Sequence, residues 1–539
     1  MNKNLRLNEI VGKSGFPSLI YTLIALIVWI GIHKDYGISW DQSVDMKFGQ
    51  AVLRYFLEGF DYHYITDYPV ENLRYYSPLV PLVSSLLAQI SHGDLFSCSA
   101  AVTGLFWVAT FWPVCLLAEK VSGRGAAWLA GLALICMPPY LGHGFINAKD
   151  LPFACAVVWF LLAIASSTQR RHFDWVSALL IGLTFGFVLA VRPGGFFVGA
   201  LFLIPFLLHG LLATSENTSA ISARLRSTLK TGLWLIVSLA VAWAVMIAPW
   251  PSAHRSPFLH PLESMQLASK FKEAYPVLFL GQHHQSNQLP SSYFLVYFGV
   301  TTPPFLLAAA LVGQIRLIKL LFCKNTREIA AGLLFLIGFP LLCFAVLRMN
   351  VYDGIRHFLF LLPLFAISAG LGGAWLAQSF FPKYQRWQFC GMLVAFASSL
   401  PSLWQLHPYQ YAYYNFLAGP SESLHRRFET DYWVTSYREA AEWIKQQPTE
   451  NPGIIIAANS FSENAFLHFA PPETRHLSVL GNFKNEPWPN GADYYLGTVR
   501  YDQSDNFPIS TICKRIERNG ILMSVIRTNH APTPDPLKP

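Results

Sequence analysis

Long apolar runs separated by short polar segments fill the first 405 residues of the chain. A helix needs about twenty predominantly apolar residues to cross a bilayer. Apolar runs near that length occur at 16–33, 96–118, 125–141, 151–167, 175–191, 194–212, 231–249, 294–315, 329–347, 357–378 and 388–405. The pattern therefore predicts a mainly α, polytopic transmembrane protein with about eleven spans.

One further apolar stretch, 78–90 (PLVPLVSSLLAQI), is shorter and is followed by SHGD. We interpret it as an interfacial or re-entrant helix that does not cross the bilayer. With a cytoplasmic N-terminus, every cytoplasmic segment is then basic, as the positive-inside rule requires. The residues concerned are Lys3, Arg6, Lys13, Lys120, Arg124, Arg170, Arg171, Arg224, Arg226, Lys230, Arg316, Lys319, Lys324, Arg327, Lys383 and Arg386.

This orientation predicts which segments share the outer side of the membrane. They are the loops 34–95, 250–293 and 348–356, the turns 142–150 and 192–194, and the chain after His407. If 78–90 crossed the bilayer, the later basic loops would all face outward instead, so the charge pattern favours the first arrangement.

Residues 406–539 differ in character from the transmembrane domain predicted at 1–405. They are polar, with a helical pattern at 437–446 and short strand-like runs at 454–457, 494–499 and 521–526. We predict a small soluble α/β domain on the extracytoplasmic side. Its last residues, 530–539 (HAPTPDPLKP), are predicted to be disordered.

The composition of the 539 residues agrees with a membrane protein. Hydrophobic residues make up 53% and charged residues only 13%, where soluble chains carry roughly 25% charged residues. The net charge of +8 lies mainly in short loops without a Lys/Arg-rich run, so we predict no nucleic-acid partner. Eight Cys show neither pairing nor metal-ligand spacing.

Asp41 directly follows the first predicted span and begins an amphipathic stretch in the first outer loop. One interpretation is structural, because Ser39-x-x-Gln42 forms a capping-box pattern and acids favour the first turn of a helix. The other is a general base that faces a cavity at the membrane surface. Lys149 and Asp150, in HGFINAKDLPFA, also have two interpretations: interfacial anchors, or charges presented to the same cavity at a helix start fixed by proline.

Arg192, in AVRPGG, and Arg356, in VYDGIRHFLF, face outward against the positive-inside trend. A guanidinium matches phosphate in charge and geometry, so a substrate phosphate is one candidate partner and an anionic lipid headgroup is another. Further candidate substrate contacts in the outer segments are Asp45, His283, His284, Asp353 and His357. The histidines lack the spacing of a zinc site.

Several segments together resemble a known superfamily. These are YGISWDQ, YYSPLVPLVSSLL, NAKDLPFA, VYDGIRHFLFLLP, HPYQYAYYNFLAG and DYWVTSYREAAEWI. They are similar to GT-C membrane glycosyltransferases, in particular the family 39-like group of aminoarabinose transferases and protein O-mannosyltransferases. That group often has two adjacent acids in the first outer loop. Here Gln42 stands at the second position, and Asp45 follows one turn later.

The resemblance implies a GT-C-like fold and an enzyme that transfers a hexosyl or pentosyl group from a polyprenyl-phosphate donor. The acceptor would be a hydroxyl of a lipid, glycan or protein on the extracytoplasmic face. Asp41 would act as general base beside a second catalytic acid, Asp150. Arg356 would stabilise the departing lipid phosphate, together with Arg192 or Lys149. A divalent metal, if any, would bind at the two aspartates.

This resemblance and the simple loops predict a bacterial inner (plasma) membrane protein with a periplasmic active site and C-terminal domain. Two other functions remain open. A transporter or flippase for a lipid-linked sugar would more often show two similar halves with broken helices, which this sequence does not show. A polysaccharide polymerase or ligase would share the topology.

Overall fold

The computed structural model describes residues 15–168, 174–202, 221–269, 274–379, 384–448, 452–457, 460–472 and 474–529. The predicted disordered tail, 530–539, lies outside these residues. So do some of the basic residues used to predict the orientation, namely Lys3, Arg6, Lys13, Arg170, Arg171 and Lys383.

The described chain is mainly helical. Its α-helices are α1 Phe16–Ile32, α2 Trp40–Leu57, α3 His63–Thr66, α4 Leu79–Ser91, α5 Leu95–Ser122, α6 Arg124–Ile135, α7 Pro138–His143, α8 Asp150–Thr168, α9 Trp175–Val191, α10 Ile221–Ile247, α11 Pro251–Arg255, α12 Leu259–Ser269, α13 Tyr293–Thr301, α14 Pro304–Leu320, α15 Arg327–Leu347, α16 Leu361–Ser379, α17 Gln385–Ala397, α18 Leu400–Gln405, α19 Tyr437–Lys445 and α20 Ser460–Leu467. Short 3₁₀ segments include Pro193–Phe202, Arg356–Phe358 and Arg500–Asp505.

Among the described residues, five helical stretches are long and apolar enough to cross a membrane. They are α5, α8, the Thr228–Ile247 part of α10, α15 and α16, and shorter apolar helices are α1, α4, α6 and α9. The chain is therefore a multi-pass integral membrane protein. The count of eleven spans stays a prediction.

Prolines interrupt three of the predicted continuous runs. The run 125–141 divides into α6 and α7, the run 294–315 into α13 and α14, and the run 388–405 into α17 and α18. Proline lacks an amide hydrogen and disfavours helical backbone in the residue before it. The breaks lie beside Pro138, Pro303 and Pro401 for this reason. In the run 194–212, the described part is the 3₁₀ segment Pro193–Phe202.

The ambiguous stretch 78–90 forms α4, which has 13 residues. At 1.5 Å per residue it is roughly 20 Å long, less than the hydrocarbon core of about 30 Å. It packs against α2 so closely that a Cβ at Gly49 would overlap the backbone of Pro81. The predicted amphipathic helix and the predicted short helix of the first outer loop thus pack against each other.

A sheet near the C-terminus forms from β3 Gly453–Ala457, β4 Arg475–Val479, β5 Tyr494–Thr498, β6 Thr511–Arg518 and β7 Ile521–Thr528, in the order β4-β3-β5-β7-β6. The pairs of β3 with β4 and β5 are parallel, and those of β7 with β5 and β6 are antiparallel. We call these strands, with α19 and α20, the C-terminal sheet domain. A separate hairpin joins β1 Pro276–Phe279 and β2 Gln282–Gln285.

The sequence pattern identified the buried strands of this domain but missed β4 and β6. The residues of β3 and β7 are buried throughout, and most of them are apolar. β4 (RHLSV) and β6 (TICKRIER) are largely exposed edge strands with polar and charged residues. Charged residues on edge strands limit unwanted pairing, and they also weaken the strand signal.

Candidate active site

Asp41 lies in the first turn of α2, and its neighbours cap that helix. The Ser39 hydroxyl accepts a hydrogen bond from the Gln42 amide at 3.3 Å, and the Gln42 side chain accepts one from the Ser39 amide at 3.1 Å. The predicted capping box is therefore confirmed. Because Ser39 and Gln42 satisfy the helix start, the Asp41 carboxylate is available for contacts elsewhere.

Arg356 is the centre of the site, where carboxylates from separate segments meet. It donates hydrogen bonds of 2.6 Å to Asp41 and 2.6 Å to Asp353, and its Nε lies 3.6 Å from Oδ2 of Asp150. The guanidinium also lies 4.5 Å from the ring centroid of Trp433, within cation–π range. The structure thus brings Asp41, Asp150 and Asp353 onto one arginine.

Asp150, at the start of α8, is held by groups on both sides. Asn147 donates a hydrogen bond of 2.9 Å to its carboxylate and accepts one of 2.8 Å from its amide. Arg192, which follows α9, forms an ion pair with the same carboxylate. Two predicted phosphate-binding residues, Arg192 and Arg356, therefore flank one predicted catalytic aspartate.

A second ion pair joins the predicted residues Lys149 and Asp45, whose Nζ and Oδ2 atoms are 2.9 Å apart. Burial raises the pKa of the Asp45 carboxyl to about 6, although Lys149 partly offsets it. Burial also opposes the charge on Asp41, but Arg356 and Lys149 outweigh it and lower the pKa of Asp41 below its ordinary value. Asp41 is therefore ionised at neutral pH.

Solvent exposure separates the members of this cluster into accessible and enclosed groups. The Asp41 side chain is 31% exposed, and those of Arg192 and Lys149 are 26% and 25% exposed. The side chains of Arg356 and Asp353 are 5% and 0% exposed. A bound substrate can therefore reach Asp41, Arg192 and Lys149 without first opening the buried ion pairs.

An apolar cavity of about 440 Å³ adjoins the cluster. Its walls include Phe153 of α8, Phe197, and Phe339 and Cys343 of α15, with the predicted residue His357 near the other polar groups. Arg192 lines this cavity and also pairs with Asp150. One side chain thus connects an apolar compartment among the membrane helices with the charged cluster.

His283 and His284 lie elsewhere. Both are in β2, where the His283 ring nitrogen lies 3.0 Å from Asp502 and the His284 ring packs near Phe279. In the part of the chain that the structure describes, neither makes a hydrogen bond or ion pair to the Asp41 cluster. Their predicted substrate contacts stay a prediction.

A series of hydrogen bonds that the sequence did not predict runs from Asp150 through Asn147 and His143 to Tyr432. Asn147 donates its amide hydrogens to Asp150 and to Nδ1 of His143, at 2.9 and 3.0 Å. Burial and Arg356 lower the pKa of His143 to about 3, so the ring is neutral and its Nε2 donates to the Tyr432 hydroxyl at 2.9 Å. Only Asn147 had a signal, because asparagine before a helix start is a typical cap.

The aspartates do not fit the metal site that the resemblance left open. The guanidinium of Arg356 pairs with Asp41 and with Asp150. Across the described ranges, no group of three or more His, Cys, Asp or Glu side chains is arranged to hold a metal ion. No step of the reaction is therefore assigned to a metal.

Comparisons with known proteins were made for sequence and for structure. No family model and no curated protein matches the sequence. ArnT from Cupriavidus metallidurans in the apo state matches the structure with a TM-score of 0.51 and 12% identity, covering 95% of this chain and 97% of that chain. The same protein bound to undecaprenyl phosphate gives a TM-score of 0.49 and 14% identity, covering 95% and 98%. The apo Archaeoglobus fulgidus oligosaccharyltransferase gives 0.48 and 13%, covering 89% and 69%.

The likeness to apo ArnT spans almost the whole of both chains. It shows that this chain has the GT-C fold, as the sequence resemblance predicted. At this level of identity the likeness concerns the fold alone, so the reaction must be argued from the chain's own residues.

Proposed function

We propose that this protein is a membrane glycosyltransferase that moves a sugar from a polyprenyl-phosphate donor to an acceptor hydroxyl on the extracytoplasmic face. One observation carries the proposal. A partly exposed, ionised carboxylate, Asp41, lies in a cluster with three cations, one of which, Arg192, lines an apolar cavity among the membrane helices. A lipid-phosphate donor has the matching parts, an apolar tail and a charged headgroup.

Asp41 is the proposed general base. Its side chain is partly exposed, whereas the side chains of Asp45 and Asp150 are buried. A base must lie within hydrogen-bond reach of the proton that it removes. The acceptor oxygen would lose its proton to Asp41 as it bonds to the anomeric carbon, while the bond from that carbon to the phosphate oxygen breaks. A single displacement of this kind inverts the anomeric centre.

The departing phosphate needs cations that it can reach. Arg192 and Lys149 are partly exposed, and we propose them as its direct contacts. Arg356 is enclosed by Asp41, Asp150 and Asp353, so we assign it first to holding Asp41 ionised. It would reach the phosphate itself only after giving up one of these carboxylates.

The apolar cavity is the proposed binding place of the polyprenyl chain next to the phosphate. Phe197 and Phe339 offer apolar surface there, and Phe339 is also exposed on the outside of the helix bundle. ArnT, whose fold the chain shares, has been solved bound to undecaprenyl phosphate. We place the reaction on the periplasmic face of a bacterial inner membrane, with a lipid, glycan or protein as acceptor.

The test uses purified full-length protein in lipid nanodiscs with a radiolabelled polyprenyl-phosphate sugar. Turnover is scored as transfer to an acceptor extract or as release of the sugar to water. Asp41→Asn should reduce kcat by at least about 100-fold, the usual contribution of a positioned base. Arg192→Met should raise the KM of the donor at least about tenfold, because it removes a charged contact of the phosphate.

Two matched variants control for loss of outer-face charge. Asp35→Asn changes an outer carboxylate that pairs with His407 at 2.9 Å, away from the cluster. Arg348→Met removes an exposed outer arginine at the end of α15. Both should retain native turnover. Equal turnover in Asp41→Asn and Asp35→Asn would contradict the assigned base, and movement of the lipid across the bilayer without turnover would favour a transporter.

A further inference from the structure

Arg500, a buried arginine of the C-terminal sheet domain, contacts the candidate site on two sides. Its Nη2 lies 2.7 Å from Oδ1 of Asp353, whose Oδ2 accepts a hydrogen bond from Arg356. Its guanidinium also lies 3.9 Å from the ring centroid of Trp40, the residue directly before Asp41. One side chain of the tail domain thus touches the carboxylate that holds Arg356 and the residue that precedes the proposed base.

The backbone is strained on both sides of the Arg500–Asp353 pair. Tyr501 and Asp502, which follow Arg500, both have φ of 55°, and Asp353 has φ of 61°. Residues other than glycine rarely adopt this left-handed region, and they do so where surrounding contacts over-determine the conformation. The strain indicates that the pair is held in a set geometry.

We propose that Arg500 is a positioning residue: by holding one oxygen of Asp353, it leaves the other to orient Arg356 toward Asp41. The inference rests on the proposed function, because it concerns the same reaction. It also means that the C-terminal sheet domain contributes a residue to the proposed active site of the transmembrane domain.

The physical reason is competition for one guanidinium. Without Arg500, both oxygens of Asp353 turn to Arg356 and draw it away from Asp41. The same loss leaves Asp353 with less compensating charge, because Arg500 lies 2.7 Å from its Oδ1. Asp41 would then be less well stabilised as an anion, and its pKa would rise. The charged or titratable groups that act on Asp41 are Arg356, Lys149, Arg192, Asp45 and Tyr352. Asp150 shares Arg356 with Asp41.

The test compares native protein, Arg500→Met and Arg500→Lys, all full length in nanodiscs. The control is Arg527→Met, which changes another buried arginine of the same domain. Among the described residues, Arg527 donates its hydrogen bonds to the backbone carbonyls of Ser504, Phe507 and Ser510. The first readout is the pKa of Asp41. It is measured from the pH dependence of one carboxyl infrared band, which is assigned to Asp41 because it disappears in Asp41→Asn. This measurement needs no turnover.

In Arg500→Met, the Asp41 transition should move upward by about one pH unit. The kcat for the polyprenyl-phosphate sugar should fall at least tenfold, with the donor KM within threefold of native and the acidic limb of the pH–rate profile shifted upward. Arg500→Lys should restore part of each effect. Arg527→Met should leave the Asp41 transition and the limb unchanged, even if it lowers thermal stability.

The inference would be overturned if the Asp41 transition in Arg500→Met stayed at its native pH. It would also be overturned if Arg500→Met and Arg527→Met both lost kcat in proportion to their loss of stability. If native protein turns over no polyprenyl-phosphate sugar, the proposed function fails. The infrared transition then still decides whether Arg500 positions the Arg356–Asp41 pair.

Discussion

Replacing Arg356 by methionine tests the central ion cluster most directly. The change removes the cation that touches Asp41 and Asp353 at 2.6 Å each, and Asp150 at 3.6 Å. Methionine fills much of the same space without charge. Asp150 keeps Arg192 and Asp353 keeps Arg500, so Asp41 loses most.

The expected loss of stability follows from this partial compensation. Removing one partner of a buried ion pair costs about 3–5 kcal/mol when the other charge is left alone. Because two of the three carboxylates retain an arginine, we expect about 3 kcal/mol, the lower end of that range. Arg356→Lys keeps the charge, but one ammonium cannot bridge the same carboxylates, so its stability should lie between native and Arg356→Met.

The loss should also depend on pH. In the native fold Asp41 has a lowered pKa, so its charge stabilises the fold at pH values above the ordinary pKa of a carboxyl. This contribution is lost as pH falls through the lowered value. The stability difference between native protein and Arg356→Met should therefore be largest near pH 7 and shrink below about pH 4.

The assay is the apparent unfolding temperature in detergent at neutral and acidic pH, followed by donor turnover in nanodiscs. Arg348→Met is the control, because Arg348 is an exposed arginine that is not a member of the cluster. Arg356→Met should lose turnover at least about 100-fold, since the proposed base is then displaced and less ionised. Equal stability of the two variants at pH 7, with equal turnover, would refute the reasoning.

Two further predictions concern groups away from Arg356. Burial raises the pKa of the Glu429 carboxyl to about 8, only partly offset by Arg500, so the folded state binds its proton more tightly than the unfolded chain does. Native stability should therefore fall between about pH 5 and pH 8. Glu429→Gln should flatten this fall in unfolding-temperature measurements, whereas the exposed Glu422→Gln should follow the native curve. Cys343→Trp fills the apolar cavity, and it should raise the KM for a long-chain donor at least about tenfold with little change in kcat. The control is Leu342→Trp, which changes the neighbouring exposed side chain of α15; equal KM values for the two variants would remove the cavity from the proposed donor site.

Local features of the fold could be read from the sequence. The Ser39–Gln42 capping box fixes the start of α2, because the two residues are close in the chain and satisfy each other's backbone. The apolar runs predicted most helices, although prolines such as Pro303 divided three of them. Arg192 and Arg356, which are predicted to face outward against the positive-inside trend, indicated a charged site.

The partners within that site depended on residues far apart in the chain. Arg356 reaches Asp41 across 315 positions, and no local pattern encodes a contact of that range. Trp433 and Arg500 lie in the tail, and neither was predicted as a site residue, since a single tryptophan or arginine in a polar segment is ordinary. The sequence predicted Asp353 as a possible substrate contact, which stays a prediction, and gave no sign that it is enclosed between two arginines.

The sequence by itself determined the membrane class, the approximate position of the apolar helices, the capped start of α2 and several members of the charged cluster. It could do so because hydrophobic periodicity and capping act over a few residues. Only the tertiary structure decided which charges are enclosed and which are accessible, and that the tail domain contributes Arg500. Burial and ion pairing depend on how distant segments pack, and that packing sets the ionisation of Asp41 and the access to Arg192.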